Sequence, residues 1–389
     1  MFIKKYICSI GRKTTLVIGA VPITIGWIIM IFADSVIWLY IARFLTGITD
    51  GLVFTNVAPI YLGEIASDKV RGSISIISTV MGAFGILLFF AIAPYVSLKT
   101  MSGLGLITPI LFFIACIYLP ESPYFLLGKN RHEDAFNALV KLRGHKNVEA
   151  ELKMMEAAVQ KSDSHKVTYK DLFLKGNRRS LIIILGLAGA LQVTGCEVLL
   201  VYSEVIFNKI DANFLGPSEV NIIFGFVMFV TSALASMLVD RLGRKPLLIF
   251  SFAGLALCNG TVAVFFLFKR FEYDVSNVAW IPVTALMGFI ACYGMGTGPV
   301  TFTLLGEIFQ KNMKAFAGAA FSLSFALVGF ASVKLFQVIS DEVGSDWAFM
   351  GFSVFALLYI PFVYFLVPET KGKPLDQILE ELNGNKSDT

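Results

Sequence analysis

The residues best placed to do chemistry in this 389-residue chain are charges set beside or inside long apolar runs. Asp240-Arg241-Leu242-Gly243-Arg244-Lys245 lies between the apolar runs 220–239 and 246–268, and Ile10-Gly11-Arg12-Lys13 repeats its spacing ahead of another. Near a membrane interface such groups gain by pairing, and the pairs can break when helices rotate. Asp50, Glu197, Glu204 and Lys334 fall inside apolar runs. A charge at a bilayer centre costs ~2.5–3.5 kcal/mol on insertion scales, so each is expected to face a bundle interior. Glu197 could carry a proton, pair with a cationic solute, or stay protonated as a neutral donor. Gly294, Gly296 and Gly298-Pro299 interrupt one run, either as a gate hinge or for close helix packing.

Other chemistries find no support. There is no Ser/His/Asp arrangement, metal cluster or phosphate loop, so neither an enzyme nor a cofactor is expected. His132, His145 and His165 share one polar segment, and Cys8, Cys116, Cys196, Cys258 and Cys292 lie in or beside apolar runs as buried small hydrophobes. The net charge of +4 reflects membrane loops and calls for no nucleic-acid partner.

The elements that must hold these residues are membrane helices. Hydrophobic residues make up 56% of the chain and charged residues 15%, against ~25% in ordinary soluble domains. Ten runs, about 14–33, 36–62, 72–96, 100–119, 180–207, 219–239, 246–268, 278–305, 313–339 and 346–367, are each long enough to cross a bilayer. Loops carrying Arg12, Lys13, Lys69, Arg71, Arg241, Arg244, Lys245, Lys311 and Lys314 alternate with loops poorer in cations. That places the first set, segment 120–179 and the tail after Pro368 in the cytoplasm. Asn259-Gly260-Thr261 would then lie in a span and Asn385-Lys386-Ser387 in the cytoplasm, so neither is expected to be glycosylated. Met1–Gly11 has no apolar core followed by a cleavage site.

Several motifs in order resemble the sugar-porter branch of the major facilitator superfamily. They are the two Gly-Arg-Lys turns, Arg43-Phe44-Leu45-Thr46-Gly47, Tyr61-Leu62-Gly63-Glu64 with Arg71-Gly72, Pro120-Glu121-Ser122-Pro123, Gly306-Glu307 with Lys314, and Pro368-Glu369-Thr370-Lys371-Gly372. Within the branch, 274–278 with Trp280, and Lys334 with Phe336-Gln337, are most similar to facilitated trehalose transporters. The resemblance implies two helical halves that rock around a sugar site. It implies a latch of Arg43, Glu64, Arg71 and Glu121 in the first half and of Asp240, Arg241, Arg244, Glu307 and Lys314 in the second. The alternative is that these charges only orient the helices. It further implies substrate contacts from Gln192, Glu197, Thr79 and Phe302, with Tyr202, Gly298 and Pro299 in the gates. The family has twelve helices, and this chain begins where its second ends, with Cys8 at an expected acidic position. Either a truncated reading or a ten-span descendant fits.

The same resemblance marks departures. Leu191, Glu197, Met228 and Phe325-Ala326 stand where the family has Gln, Asn, Asn and Asn-Trp. Each sugar hydroxyl loses water on binding unless it is paired, so these replacements predict weak sugar transport. The expected architecture is an all-α, major-facilitator-type, two-half bundle of about ten membrane helices. Residues 1–119 form one half, 120–179 a central loop with short helices, 180–367 the other half and 368–389 a tail. The expected activity is alternating-access carriage of trehalose or a hexose by a monomer in the plasma membrane, with sugar and lipid as partners. A carrier of another solute, proton-linked through Glu197, and a non-transporting membrane protein are the alternatives.

Overall fold

The computed structural model describes residues 10–67, 71–163, 175–211, 216–309, 313–371, 373, 377–378 and 381–382. Expectations resting on Cys8, Lys69, His165, Lys311 and Asn385–Ser387 fall outside this set, as do the side chains of Arg71 and Asp240. Among the described residues the chain is helical and has no strand. Among the described residues, ten helices are long and apolar enough to cross a membrane, from Arg12–Phe32 to Ser345–Leu366. An all-helical bundle suits a 56% hydrophobic chain in lipid, because a helix pairs its backbone polar groups within its own segment.

The chain divides into two compact units. The first comprises Met1–Ser75 and Tyr95–Asp171. Here α1 (Arg12–Phe32) packs against α2 (Val36–Thr49), which runs through a π-helical segment, Asp50–Val57, into α3 (Ala58–Ile65). Small residues set these contacts, as expected where lipid removes the hydrophobic drive between helices. A Cβ on Gly26 would come 3.1 Å from the Ala42 carbonyl oxygen, and the Thr49 hydroxyl donates to Gly19 O at 2.8 Å. After α4 (Arg71–Ile92), α5 (Leu98–Tyr118) covers the other side of α1, with Trp27 against Gly105. Leu16, Val53, Val57, Tyr61 and Cys116 close the core.

Three polar-faced helices follow: α6 (Pro123–Gly128), α7 (His132–Arg143) and α8 (Glu149–Asp163). They bury Leu126, Leu127, Ala135, Ala138, Leu139, Val148 and Met155 among themselves. Gly144 ends α7 at φ 73, the left-handed cap that glycine adopts freely. Arg143 chelates Glu151 through Nε and Nη2, while its Nη1 donates to Ile65 O at 2.9 Å. This guanidinium ties the loop helices to the end of α3.

The second unit comprises Ile76–Pro94 and Leu172–Thr389, so most of α4 packs with it. It contains α9 (Lys175–Val193), α10 (Cys196–Ile210), α11 (Pro217–Leu242), α12 (Arg244–Arg270) and α13 (Trp280–Cys292). A π-helical segment, Tyr293–Thr297, leads into α14 (Gly298–Glu307), followed by α15 (Lys314–Glu342) and α16 (Ser345–Leu366). Aromatic pairs bind the layers: Phe90 edge-on to Phe224 at 5.8 Å, Phe252 stacked on Tyr359 at 5.5 Å, and Phe336 with Phe349 and Phe352. Such pairs contribute about 0.5–1.5 kcal/mol each beyond the area they bury.

Candidate functional site

Three places in the structure gather polar groups with stated geometry. The first is the turn before α1. Gly11 has φ 105 and ψ 161, a region essentially open to glycine alone. That conformation aims the next two N–H groups at one acceptor. Glu121 Oε1 takes Arg12 N at 3.0 Å, Lys13 N at 3.1 Å and Ser122 N at 2.9 Å. A carboxylate at a helix N-terminus satisfies orphan donors and meets the positive end of the helix dipole. The Arg12 side chain turns the other way and grips Glu64 with two bonds, Nε–Oε2 3.0 Å and Nη2–Oε1 2.9 Å. The Ser122 hydroxyl also donates to Glu64. The Tyr61 hydroxyl donates to Pro120 O at 2.7 Å and fixes the approach of the Glu121 segment. Phe125 lies under the guanidinium, 5.2 Å from ring centre to Arg12 Cζ.

The second place is the turn before α12, and it repeats the first part for part. Gly243 has φ 89 and ψ 168. Glu369 accepts from Arg244 N at 3.0 Å, Lys245 N at 3.0 Å and Lys371 N at 3.0 Å. Arg244 grips Glu307 through Nε at 3.2 Å and Nη2 at 2.8 Å, and Thr370 donates its hydroxyl to Glu307 at 2.5 Å. Partial burial pushes the Glu369 carboxyl up, but backbone N–H donors from Arg244, Lys371, Lys245 and Thr370 outweigh it and hold it below its ordinary value.

The residues expected in the two latches are thus only partly brought together. Glu64 and Glu121 meet in the first turn cluster, Arg244 and Glu307 in the second. Arg43 stands apart, exposed, with its charge acting on Asp50. Arg12, which the motif reading left out of the latch, is the arginine that pairs with Glu64. Arg241 is exposed and takes part through its carbonyl, which accepts from Lys371 Nζ at 2.6 Å. Lys314 is half-buried at the start of α15. Ser122, Glu369 and Thr370 were missed as functional residues. Their signal was present: Pro120-Glu121-Ser122 and Pro368-Glu369-Thr370 each follow the last membrane helix of a half.

The third place is the break between α9 and α10. Gly195, at φ 96, lets the chain turn there against the face of Phe352. Gln192, one turn before it, is 2% exposed, and its Oε1 has no hydrogen-bond partner. Such buried acceptors are uncommon and call for an explanation. The Gln192 backbone carbonyl accepts from Ser332 Oγ at 3.0 Å, and Gly329 leaves the space its amide fills. Asn259 Nδ2 donates to Thr194 O at 3.0 Å, fastening the break to α12. Glu197, half-buried, sits in the first turn of α10 beside the buried Cys196.

The remaining candidates are more dispersed. Thr79 is half-buried on α4. Phe302 is 47% exposed and packs edge-on against Phe321 at 5.5 Å. Tyr202 meets Phe336 at 5.6 Å and lines a cleft of about 90 Å³ with Lys209, Gln337, Ser340 and Asp341. Gly298 and Pro299 open α14, directly after the π segment. Asp50, Glu204 and Lys334 have exposed side chains. Lys334 finds its partner on its own helix, Gln337 Oε1 at 3.0 Å.

Comparison with known proteins adds the following. A family model described as "Sugar (and other) transporter" matches residues 1–382. The facilitated trehalose transporter Tret1 of Polypedilum vanderplanki is 33% identical over 383 residues, covering 97% of this chain and 75% of that protein. The Bombyx mori Tret1 is 33% identical over 378 residues, covering 95% and 73%. For the Anopheles gambiae Tret1 the figures are 32%, 96% and 47%, so the chain spans about half of that relative. Among solved structures, a double Trp mutant of XylE superposes with a TM-score of 0.80 at 22% identity, covering 97% of this chain and 85% of that one. The proton:xylose symporter XylE bound to 6-bromo-6-deoxy-D-glucose gives 0.73 at 22%, covering 97% and 84%.

Proposed function

The chain belongs to the sugar (and other) transporter family, and from that premise we propose that it carries trehalose across the plasma membrane by alternating access, as a monomer. Membership makes it a multi-pass membrane carrier of the major facilitator architecture, and its relatives are transporters, not enzymes. The choice of trehalose follows the named activity of relatives matched over nearly the whole chain.

One observation carries the reading at the site: the buried Gln192 with an unpartnered Oε1, at the break of a discontinuous helix. Carriers place solute sites at such breaks, and an amide acceptor held there in a dry setting suits a sugar hydroxyl. Glu197 in the next turn and Thr79 on α4 supply further polar groups, and Phe302 an apolar face for a sugar ring. Residues 1–119 and 180–367 act as the moving halves, joined by 120–179. The Arg12–Glu64 and Arg244–Glu307 pairs act as the latch on the cytoplasmic side, with Arg43, Arg71, Asp240, Arg241 and Lys314 as its outer charges and Tyr202 at the opposite gate.

Uptake into vesicles reconstituted with the chain decides the matter. Labelled trehalose should enter saturably, and Gln192→Ala should remove at least about 1 kcal/mol of transition-state binding, a fall of roughly fivefold or more in uptake efficiency. No saturable entry of trehalose or glucose would sink the proposal. Uptake that collapses when the pH gradient is removed would replace facilitated carriage by proton-linked carriage.

A further inference from the structure

The π-helical segment Tyr293–Thr297 is held by a side chain from a neighbouring helix. Ser251 of α12 is fully buried, as is Thr297. The Ser251 hydroxyl donates to Cys292 O at 2.8 Å and accepts from Thr297 N at 3.0 Å. Residues 292 and 297 are five apart, the spacing a π turn would bond directly. Ser251 therefore braces that turn from outside, accepting from one end and giving to the other. Its single hydrogen is spent on Cys292 O, so the Thr297 hydroxyl must be the donor in the 2.5 Å contact between the two side chains. Every hydrogen in the group is accounted for. The next bond, from Gly298 N to Tyr293 O, is again of π type, and beyond it Pro299 has no N–H to give. Gly296 permits the approach, since a Cβ there would come 2.8 Å from Leu247 O.

The same α12 holds the other end of α14. Arg244 lies about two turns before Ser251 and grips Glu307, the last residue of α14. The ten-residue half-helix Gly298–Glu307 is thus held at its N-cap residue, Thr297, by Ser251 and at its far end by Arg244.

We infer that Ser251 is the pivot of α14: its hydroxyl anchors the π segment to α12, so that when the Arg244–Glu307 pair opens, α14 swings about Gly298 while Tyr293–Thr297 stays in place. Ser251 touches no solute and acts as a positioning residue. The inference rests on the carrier reading for its consequence and on local geometry for its existence, and the two are tested separately.

Ser251→Ala keeps the packing and removes the hydroxyl. In reconstituted vesicles it should lower trehalose turnover about tenfold while equilibrium trehalose binding stays within about twofold. A merely structural bond would lower thermal stability without that split. Combined with Glu307→Gln, which opens the far end of the same half-helix, the loss should be smaller than the product of the two single losses. Amide hydrogen exchange over residues 293–301 in detergent should rise about fivefold in Ser251→Ala. If Ser251→Ala does not fold, Thr297→Val, which removes only the hydroxyl donor, carries both measurements, with about a threefold loss expected. Unchanged turnover, or unchanged exchange over 293–301, overturns the pivot. If the unaltered chain moves no sugar, the carrier reading falls, and the exchange measurement alone decides whether Ser251 pins the segment.

Discussion

The two Gly-Arg-Lys turns are built from the same parts and wired differently. Each needs a positive-φ glycine, two free N–H groups, a carboxylate over them and an arginine whose side chain turns away to a second carboxylate. In the first turn one oxygen, Glu121 Oε1, takes all three N–H groups, and Phe125 covers Arg12. In the second, Glu369 divides its donors between Oε1 and Oε2, and the aromatic contact is Tyr364 with Lys245 at 5.0 Å. Arg244 also has a third bond, from Nη1 to Val239 O at 3.2 Å, and its side chain is 10% exposed against 15% for Arg12. The contrast separates what the electrostatics demand from what the neighbourhood merely permits. Oxygen atoms and aromatic lids can be exchanged; the glycine, the arginine and both acids cannot.

The largest effect should come from removing the arginines. Arg244→Gln removes two bonds to Glu307, which keeps the Thr370 hydroxyl, and one to the Val239 carbonyl, which keeps Gly243 N, at a cost of about 2–3 kcal/mol. Arg12→Gln strands Glu64, which keeps the Ser122 hydroxyl, and should cost about 1–2 kcal/mol. Thermal unfolding in detergent, followed by tryptophan fluorescence, should rank Arg244→Gln below Arg12→Gln. The reverse order would show that the extra bond in the second cluster carries no weight.

The glycines should behave alike, which tests the sameness of the two turns. Gly243→Ala and Gly11→Ala force a Cβ into a glycine-only backbone region and toward the capping carboxylate, Glu369 or Glu121. Each should cost about 1–3 kcal/mol, within about 0.5 kcal/mol of the other. A gap wider than that, by the same unfolding measurement, breaks the comparison.

The smallest effect is one of pH. The Glu369 carboxyl is held below its ordinary value, so its contribution to stability is present above the unfolded-state pKa, near 4.5, and fades as pH falls through the lower folded-state value. Unfolding of Glu369→Gln should therefore be less sensitive to acid than that of the unaltered chain below about pH 4.5. Equal acid sensitivity would mean that the four N–H donors do not set the charge of this group.

How much of this was legible beforehand differs by level. The repeated turn in both halves could be read because it is local: the glycine, the two cations and the adjoining helix start are consecutive residues. Glu64 and Glu307 were marked by Gly-Glu in each half. Arg43 was placed in a latch by a motif, but it lies well along α2, and the helix geometry carries it away from the cluster. Glu369 and Thr370 went unassigned because the partners that mark them, Arg244 and Lys245 for Glu369 and Glu307 for Thr370, lie 63 to 125 positions earlier in the chain.

By itself the sequence determined that this is a helical membrane bundle, with ten candidate spans among the described residues, since an apolar run of about twenty residues in lipid has no alternative to a helix. It also determined where the two turns fall and that they are copies. Only the tertiary structure decided which acid meets which base, because a carboxylate selects among N–H groups by distance, not by order along the chain. It decided, too, that Ser251, one hydroxyl in an apolar helix, braces the π segment of another. Nothing local to Ser251 announces that contact; it exists because packing brings α12 within 3 Å of the π segment, where the hydroxyl donates to Cys292 O and accepts from Thr297 N.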